Sequence, residues 1–157
     1  MAIPKKIINF LEKNKIKYEI LKHKTVYTAF DKAQTLKVKQ KIIGKTLILK
    51  KNGELSIVLI SANKNLDLKK FKKLTKAKKV DFVSEKQIKQ KFKGAKVGTL
   101  PPFGNLWKTQ TLVDKSLLKE KEIILSGGDY NFSIKIKGKD FKKLIPDLII
   151  GSFGKVK

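Results

Sequence analysis

The sequence predicts an α/β protein of a single domain, in which a mixed, largely antiparallel β-sheet carries helices packed around it. Helical and strand patterns follow one another without the regular strand–helix–strand order of a doubly wound parallel fold. Asn52-Gly53 between two apolar runs is a hairpin signal, which makes two neighbouring strands antiparallel. The 157 residues, 41% of them hydrophobic, suffice for one core, so we expect one domain over residues 1–157.

The first forty residues read as helix, strand and helix. Apolar residues at helical spacing predict a first helix from Pro4 to about Asn14, followed by a short strand that ends at His23. A second helix is expected to begin at Thr28, with Asp31 in the capping position. Its inner face is expected to contain Phe30, Ala33 and Leu36.

The middle of the chain contains the hairpin and two further helices. Residues 44–49 and 55–60 alternate as the two hairpin strands. Asp67 is expected to cap one helix and Ser84 the next, with a short strand at residues 80–83 between them. The apolar residues that these two helices turn inward are predicted to be Leu68, Phe71, Leu74, Ile88 and Phe92.

The second half opens on a stiff loop from Gly98 to Gly104, which holds two prolines between two glycines. On residue chemistry alone this loop is either a structural turn or a binding loop. Three strands follow, the last two joined through residues 127–129, and a final helix opens at Asp140 and ends at Pro146. The three strands are predicted at residues 111–114, 122–125 and 132–136.

Charge points to a polyanionic partner. The net charge is +25, which favours nucleic acid first and an anionic membrane second. All 38 basic residues are lysine. A chain selected only for binding nucleic acid would be expected to keep some arginine, which binds phosphate in a bidentate way, so we assign part of the charge to compositional bias. There is no cysteine, no signal-peptide pattern and no apolar run long enough to span a membrane, so we expect a cytoplasmic protein without a membrane partner.

Several familiar catalytic centres do not fit the sequence. A Ser-His-Asp triad would need the single histidine, His23, to meet a serine and a carboxylate in space. One histidine and scattered acids give no metal-ligand spacing, so neither a metal nor a cofactor is expected. Gly44-Lys45-Thr46 lacks the earlier glycine of a phosphate-binding loop, because Lys39 stands there.

Lys45 differs from the other lysines by its position. On the predicted strand it lies on the same face as Leu47 and Leu49, so it is expected to be partly desolvated and to need a partner. That partner is either a bound phosphate or developing oxyanion, or an internal aspartate. The pattern alone leaves both open.

The ordered features of the chain resemble the YbaK/prolyl-tRNA synthetase-associated domain family, and the resemblance covers nearly the whole sequence. Members of this family are single α/β domains, here expected to be barrel-like, whose characterised examples hydrolyse the ester of mischarged aminoacyl-tRNA. The features that carry the resemblance are His23, Thr28-Ala29-Phe30-Asp31-Lys32-Ala33, Lys45-Thr46-Leu47-Ile48-Leu49, residues 62–68, the loop 98–104, Val113-Asp114-Lys115-Ser116-Leu117 and Gly127-Gly128.

The resemblance implies site residues one by one. The family lysine that is essential for deacylation falls on Lys45, and the Gly-x-x-x-Pro-x-Gly loop that lines the amino-acid pocket falls on Gly98, Pro102 and Gly104. Relatives that edit alanine carry a histidine where residues 129–131 stand here, and many have serine or threonine at Pro101. The full set of expected substrate-binding residues is His23, Thr28, Gly98, Thr99, Leu100, Pro101, Pro102, Phe103, Gly104, Gly127, Gly128 and Asp129.

Together these observations predict a trans-editing deacylase for a small amino acid on tRNA(Pro) or a related tRNA. An aminoacyl ester is already labile, so positioning and oxyanion stabilisation can replace a strong nucleophile. Lys45 is expected to hold the terminal phosphate or the developing charge, while the backbone of residues 98–100 orients the aminoacyl group. The partners are tRNA and a possible synthetase. The alternatives are a non-catalytic tRNA-binding module and a small-molecule or amino-acid binding protein.

Overall fold

The computed structural model describes residues 3–93, 96 and 98–157. The helices in these residues are α1 (Lys5–Lys13), α2 (Ala29–Leu36), α3 (Leu68–Thr75), α4 (Glu85–Lys91), α5 (Lys115–Leu118) and α6 (Phe141–Leu144). The strands are β1 (Tyr18–Lys22), β2 (Gly44–Lys51), β3 (Glu54–Ser61), β4 (Lys64–Leu66), β5 (Val80–Phe82), β6 (Gln110–Asp114), β7 (Glu122–Asp129), β8 (Phe132–Lys137), β9 (Ile149–Gly151) and β10 (Gly154–Val156).

The strands form three sheets, and the predicted mixed, largely antiparallel architecture is confirmed. The largest sheet has the order β5-β2-β3-β6-β9, in which β6 runs parallel to both of its neighbours. A second sheet, β1-β8-β7, and the pair β10-β4 are antiparallel. A parallel bridge between Ile43 and Ile124 joins the two larger sheets. Among the described residues the sheets do not close, so the barrel-like expectation describes curvature and not a closed barrel.

The hairpin between β2 and β3 has the predicted turn. Lys51 pairs with Glu54, and the two residues between them both have positive φ, 48° for Asn52 and 87° for Gly53. This backbone matches the strand twist, and asparagine and glycine tolerate it best. The Asn52 side chain also accepts hydrogen bonds from the backbone N–H groups of Lys78 and Lys79, which lead into β5.

Helix caps agree with the sequence, whereas three inner-face predictions do not. Thr28 accepts a hydrogen bond from the Asp31 N–H at 3.0 Å, and Asp67 and Ser84 cap α3 and α4 in the same way. Phe30, Leu68 and Leu74 were expected inside but are 50%, 41% and 37% exposed. In α2 the inward stripe contains Ala29 in place of Phe30, together with the predicted Ala33 and Leu36.

Strand β7 corrects the predicted link at residues 127–129. It continues to Asp129 through a bulge that follows Ser126, and the turn to β8 falls at Tyr130-Asn131. A bulge adds unpaired backbone without ending the strand. Two consecutive glycines are common in turns as well as in bulges, so the sequence pattern predicted a turn here. The sequence reading also missed the short elements β4, α5, β9 and β10.

The largest core cluster joins α1 to the three-stranded sheet β1-β8-β7. Ile7 and Leu11 of α1 pack in the same cluster as Leu125, Phe103 and Phe141, all of which are at most 1% exposed. Within the described ranges no helix is both long enough and apolar enough to cross a membrane.

Candidate active site

A cavity of about 280 Å³ opens where the start of α2, the start of β2, the loop after α4 and the end of β7 meet. It is a small site by the standard of ligand pockets. Its lining comes from four elements and their flanks: Val26, Tyr27, Thr28, Ala29, Lys32, Ile43, Gly44, Lys45, Thr46, Gly98, Thr99, Ser126, Asp129 and Tyr130.

Lys45 lines this cavity from β2 and has no acidic partner in the part of the chain that is described. Its Nζ donates a hydrogen bond to the Lys64 carbonyl of β4 at 3.0 Å. Burial and the nearby charge of Lys157 both lower the pKa of Lys45. The internal aspartate that the sequence allowed is therefore not its partner, and a second positive charge stands close by. Two neighbouring ammonium groups make this wall of the cavity attractive to an anion.

Lys32 lines the opposite, helical side of the cavity and is only 9% exposed. It has neither an ion pair nor a side-chain hydrogen bond to any described residue. Burial lowers the pKa of Lys32 from 10.5 to about 8. A buried ammonium without a counter-ion is costly, and such groups concentrate at functional sites. The sequence reading did not single out Lys32.

The carboxylate of the cavity is already paired. Asp129 is 5% exposed, and one of its oxygens lies 3.2 Å from the Lys96 ammonium while the other accepts from the Asn131 N–H. Burial alone raises the pKa of Asp129, but the hydrogen bonds from Lys96 and the backbone outweigh it, so the pKa falls below its ordinary value. Asp129 is consequently ionised at neutral pH, with its charge balanced by Lys96.

Two further features complete the cavity. The Thr46 hydroxyl, next to Lys45, is buried and has no hydrogen-bond partner among the described residues. At the rim, the rings of Tyr27 and Tyr130 lie 5.0 Å apart, and Tyr27 is 71% exposed. The Lys96 ammonium also lies over the Tyr130 ring at 5.7 Å. An aromatic pair with one exposed ring beside a cation is suited to stacking with a nucleobase.

The predicted binding loop divides into two parts. Gly98 and Thr99 line the cavity, whereas the remaining residues of the loop are buried outside its described lining. Leu100 packs with Ile57 and Phe92, and Phe103 lies in the main core. The buried remainder consists of Leu100, Pro101, Pro102, Phe103 and Gly104.

Gly104 has a structural reason to be glycine. Its N–H donates to the Thr111 hydroxyl at 3.0 Å, and a Cβ on this residue would lie 2.1 Å from the Thr109 carbonyl oxygen. The N–H of Thr99 is also committed, to the carbonyl of Lys96. Backbone donors that the sequence assigned to a ligand are thus used within the fold at both positions.

Gly127 and Gly128 support the cavity wall from behind. A Cβ on Gly127 would lie 3.0 Å from Ile3, just before α1, and one on Gly128 would lie 3.1 Å from Ile7 of α1; Gly128 also has a φ of 92°. The N–H of Gly128 donates to the Thr99 carbonyl at 2.8 Å. The bulge in β7 therefore fixes the cavity-lining end of the loop, and neither glycine is part of the described lining.

His23 and Thr28, the remaining expected site residues, lie in different surroundings. His23 is outside the described lining: its Nδ1 donates to the Lys24 carbonyl, which leaves Nε2 to accept from the Ser133 hydroxyl at 2.9 Å. Ser133 is fully buried, whereas His23 is partly exposed at a place outside the cavity. Thr28 does line the cavity, although its hydroxyl is occupied in capping α2.

The fold and the cavity define an α/β protein with a small cavity lined by two lysines, Lys32 and Lys45. The family model described as the aminoacyl-tRNA editing domain matches residues 23–144, and the chain belongs to that family. Among solved structures, the hypothetical protein APE2540 aligns with a TM-score of 0.85 at 21% identity, covering 96% of this chain and 99% of that one. A candidate trans-editing enzyme for prolyl tRNA synthetase aligns with a TM-score of 0.81 at 21% identity, covering 96% of each chain. At these identities the solved structures support the fold.

Proposed function

We propose that this protein is a trans-editing deacylase that hydrolyses the ester of a mischarged aminoacyl-tRNA. The observation that carries the proposal is Lys45, a partly buried lysine without an acidic partner among the described residues, in the cavity of an editing domain. A cavity of about 280 Å³ suits a small aminoacyl group better than a large one. The substrate we favour is a small amino acid on tRNA(Pro) or a related tRNA, handled in the cytoplasm after release from a synthetase.

Lys45, which lines the cavity, and the nearby charge of Lys157 support a position for the terminal nucleotide. Two adjacent positive charges favour a full negative charge, such as the phosphate that precedes the terminal adenosine. The rings of Tyr27 and Tyr130 stand at the rim, where the terminal base would stack on them. The aminoacyl ester would then extend into the cavity towards Ser126 and Lys32.

The test is ester hydrolysis on tRNAs charged with alanine, cysteine, serine, threonine or proline. We expect the wild type to hydrolyse one mischarged species, and Lys45→Met to lower the rate by about 100-fold or more, because one preorganised charge near the reacting ester is lost. Lys50→Met is the matched control, since Lys50 lies on the same strand but outside the described lining of the cavity.

Two outcomes would contradict the proposal. If no charged tRNA is hydrolysed above the blank while tRNA still binds, the protein is a tRNA-binding module that uses the same cavity. If Lys45→Met and Lys50→Met lose activity equally, Lys45 acts through general charge and not through the cavity.

A further inference from the structure

Lys32 occupies a place on α2 where an apolar residue would be expected. Positions 29, 32, 33 and 36 share one helix face, and Ala29, Ala33 and Leu36 pack inward there. Lys32 is 9% exposed on that same face and lines the cavity. No described side chain compensates its ammonium, and an oxygen atom of a bound ligand would supply the missing hydrogen bond.

A second unsatisfied polar atom lies in the same cavity. The Thr46 hydroxyl on β2 is buried and lacks a hydrogen-bond partner among the residues described. Buried polar atoms are nearly always hydrogen-bonded, so each exception calls for an explanation. Lys32 and Thr46 come from different elements, and both are donors that an oxygen atom of a bound ligand would satisfy.

Depth separates the roles of the two lysines. Lys45 is only partly buried and has the charge of Lys157 nearby, whereas Lys32 is almost completely buried and its pKa is lowered by burial. A substrate that enters with its aminoacyl end first places its phosphate near the mouth and its ester further in. The more exposed pair therefore suits the phosphate, and the buried ammonium suits an oxygen that becomes charged only during the reaction.

We propose that Lys32 is a second catalytic lysine, whose ammonium, together with the Thr46 hydroxyl, donates hydrogen bonds to the carbonyl oxygen of the aminoacyl ester. This assignment rests on the proposed deacylase function. Water adds to the carbonyl carbon, and the π electron pair of the carbonyl moves to the oxygen that Lys32 and Thr46 contact. When the tetrahedral intermediate collapses, the bond to the ribose oxygen breaks, the ribose oxygen takes the proton that the water gives up, and a free amino acid leaves.

The charge state of Lys32 gives the proposal a pH signature. Only the ammonium form stabilises an oxyanion, and burial places the pKa of Lys32 at about 8. The other titratable groups that line the cavity are Lys45, Asp129, Tyr27 and Tyr130, with Lys96 paired to Asp129. All of them are retained in Lys32→Met, so the ratio of wild-type to variant activity isolates Lys32.

The kinetic experiment compares the wild type with Lys32→Met across the pH range. At neutral pH we expect kcat to fall by about 100-fold while KM changes little, because the contact strengthens in the transition state. Above about pH 8 the ratio of wild-type to variant kcat should decline about tenfold per pH unit as Lys32 loses its proton. Lys69→Met removes an exposed lysine on α3 and controls for net charge. A ratio that rises through pH 8 would instead make Lys32 a general base and overturn the oxyanion role.

A binding experiment separates this proposal from the deacylase proposal. The probes are acceptor-stem RNAs that end in a 3′-aminoalkylphosphonate, which is tetrahedral and anionic, or in a 3′-aminoacylamide, which is planar and neutral. We expect Lys32→Met to weaken phosphonate binding about tenfold or more and to leave amide binding within about twofold. Equal loss for the two probes, or no loss, overturns the role of Lys32. If the wild type prefers the phosphonate but hydrolyses no ester, the Lys32 contact is supported and the proposed deacylase function is contradicted.

Discussion

A buried ammonium makes the folded state less stable at the pH where it is charged. The pKa of Lys32 falls from 10.5 to about 8 on burial, and each unit of pKa corresponds to about 1.4 kcal/mol. At neutral pH, Lys32 therefore lowers the free energy of unfolding by about 3 kcal/mol. The cost is fully present below about pH 8 and disappears as pH rises towards 10.5, since the unfolded chain then loses the same proton.

We predict that Lys32→Met is more stable than the wild type at neutral pH, by about 2–3 kcal/mol. Urea denaturation at neutral pH and at about pH 10 measures the effect, because the pH-dependent part of the gain should shrink as both states become neutral. The exposed-lysine variant Lys69→Met should show no such pH dependence. A variant that is less stable than the wild type at both pH values would mean that Lys32 has a partner that compensates its charge.

Single residues also show what the sequence could and could not reveal about the site. Lys45 was found because it begins a strand whose alternate residues are apolar, and the family resemblance pointed to the same position. Lys32 also carried a signal, since it stands three residues after Ala29 and four before Leu36, which pack inward. The sequence analysis placed Phe30 on that inner face together with Ala33 and Leu36, whereas Phe30 is 50% exposed and Lys32 is buried. The orphaned Thr46 hydroxyl could not be predicted, because its lack of a partner depends on tertiary packing.

At the scale of elements, Asp114 holds the last strand against the site. One carboxylate oxygen accepts from the N–H groups of Phe153 and Gly154, each at 2.8 Å, and the other accepts from Ser116 and lies 4.0 Å from the Lys64 ammonium. Burial raises the pKa of Asp114, but these hydrogen bonds outweigh burial and lower it below its ordinary value. Strand β10 pairs with β4, and the β4 residue Lys64 provides the carbonyl that holds Lys45.

We predict that Asp114→Ala lowers the free energy of unfolding by about 2–4 kcal/mol, because it leaves buried backbone donors without an acceptor. The carboxylate contributes stability above its ordinary pKa of 3.8, and that contribution is lost as pH falls through the lower folded value. Thermal unfolding at neutral and at acid pH measures both effects, and the difference between wild type and variant should diminish in acid.

The matched control is Asp81→Ala, which removes an exposed carboxylate whose ion pair with Lys79 lies on the surface. Its effect should stay within about 0.5 kcal/mol. If Asp114→Ala unfolds like the control, Asp114 does not hold β10. Reduced deacylation in a folded Asp114→Ala protein would indicate that β10 and β4 position Lys45.

Element prediction succeeded where the cause is local. Asn52-Gly53 specifies its turn by backbone preference, and Thr28, Asp67 and Ser84 cap helices through donors three residues away. The three-residue strands β4, β9 and β10 carry too little alternation to be recognised, and β10 depends on a carboxylate about forty residues earlier in the chain. The bulge in β7 lies where Ile3 and Ile7 come close to Gly127 and Gly128, and these are tertiary contacts as well.

At the scale of the whole molecule, packing extends beyond the range that the family model matches. That range is residues 23–144, yet Ile7 and Leu11 of α1 share a core cluster with Leu125 and Phe141. The C-terminal strand β10 pairs with β4 and brings the charge of Lys157 to Lys45. These contacts support our proposal that residues 1–157 act as one domain, in which the flanking segments complete both the core and the site.

The net charge of +25 predicts how strongly tRNA binding depends on salt. Binding that releases counterions from three or four phosphates gives a slope of about −3 when the logarithm of the association constant is plotted against that of the salt concentration. Fluorescence anisotropy of labelled tRNA between about 50 and 200 mM salt measures this slope. Because all the basic residues are lysine, we expect the sequence-independent phosphate term to dominate the affinity.

Variants in the cavity make this measurement specific. If Lys45 contacts a phosphate, Lys45→Met should reduce the magnitude of the slope by about 0.7–0.9, whereas Lys32→Met should leave it unchanged, since an ester oxygen has no counterions to release. Equal slopes for the wild type and Lys45→Met would contradict the phosphate assignment of Lys45. A reduced slope for Lys32→Met would place a phosphate at the buried lysine, and the ester would then have to lie nearer the mouth of the cavity.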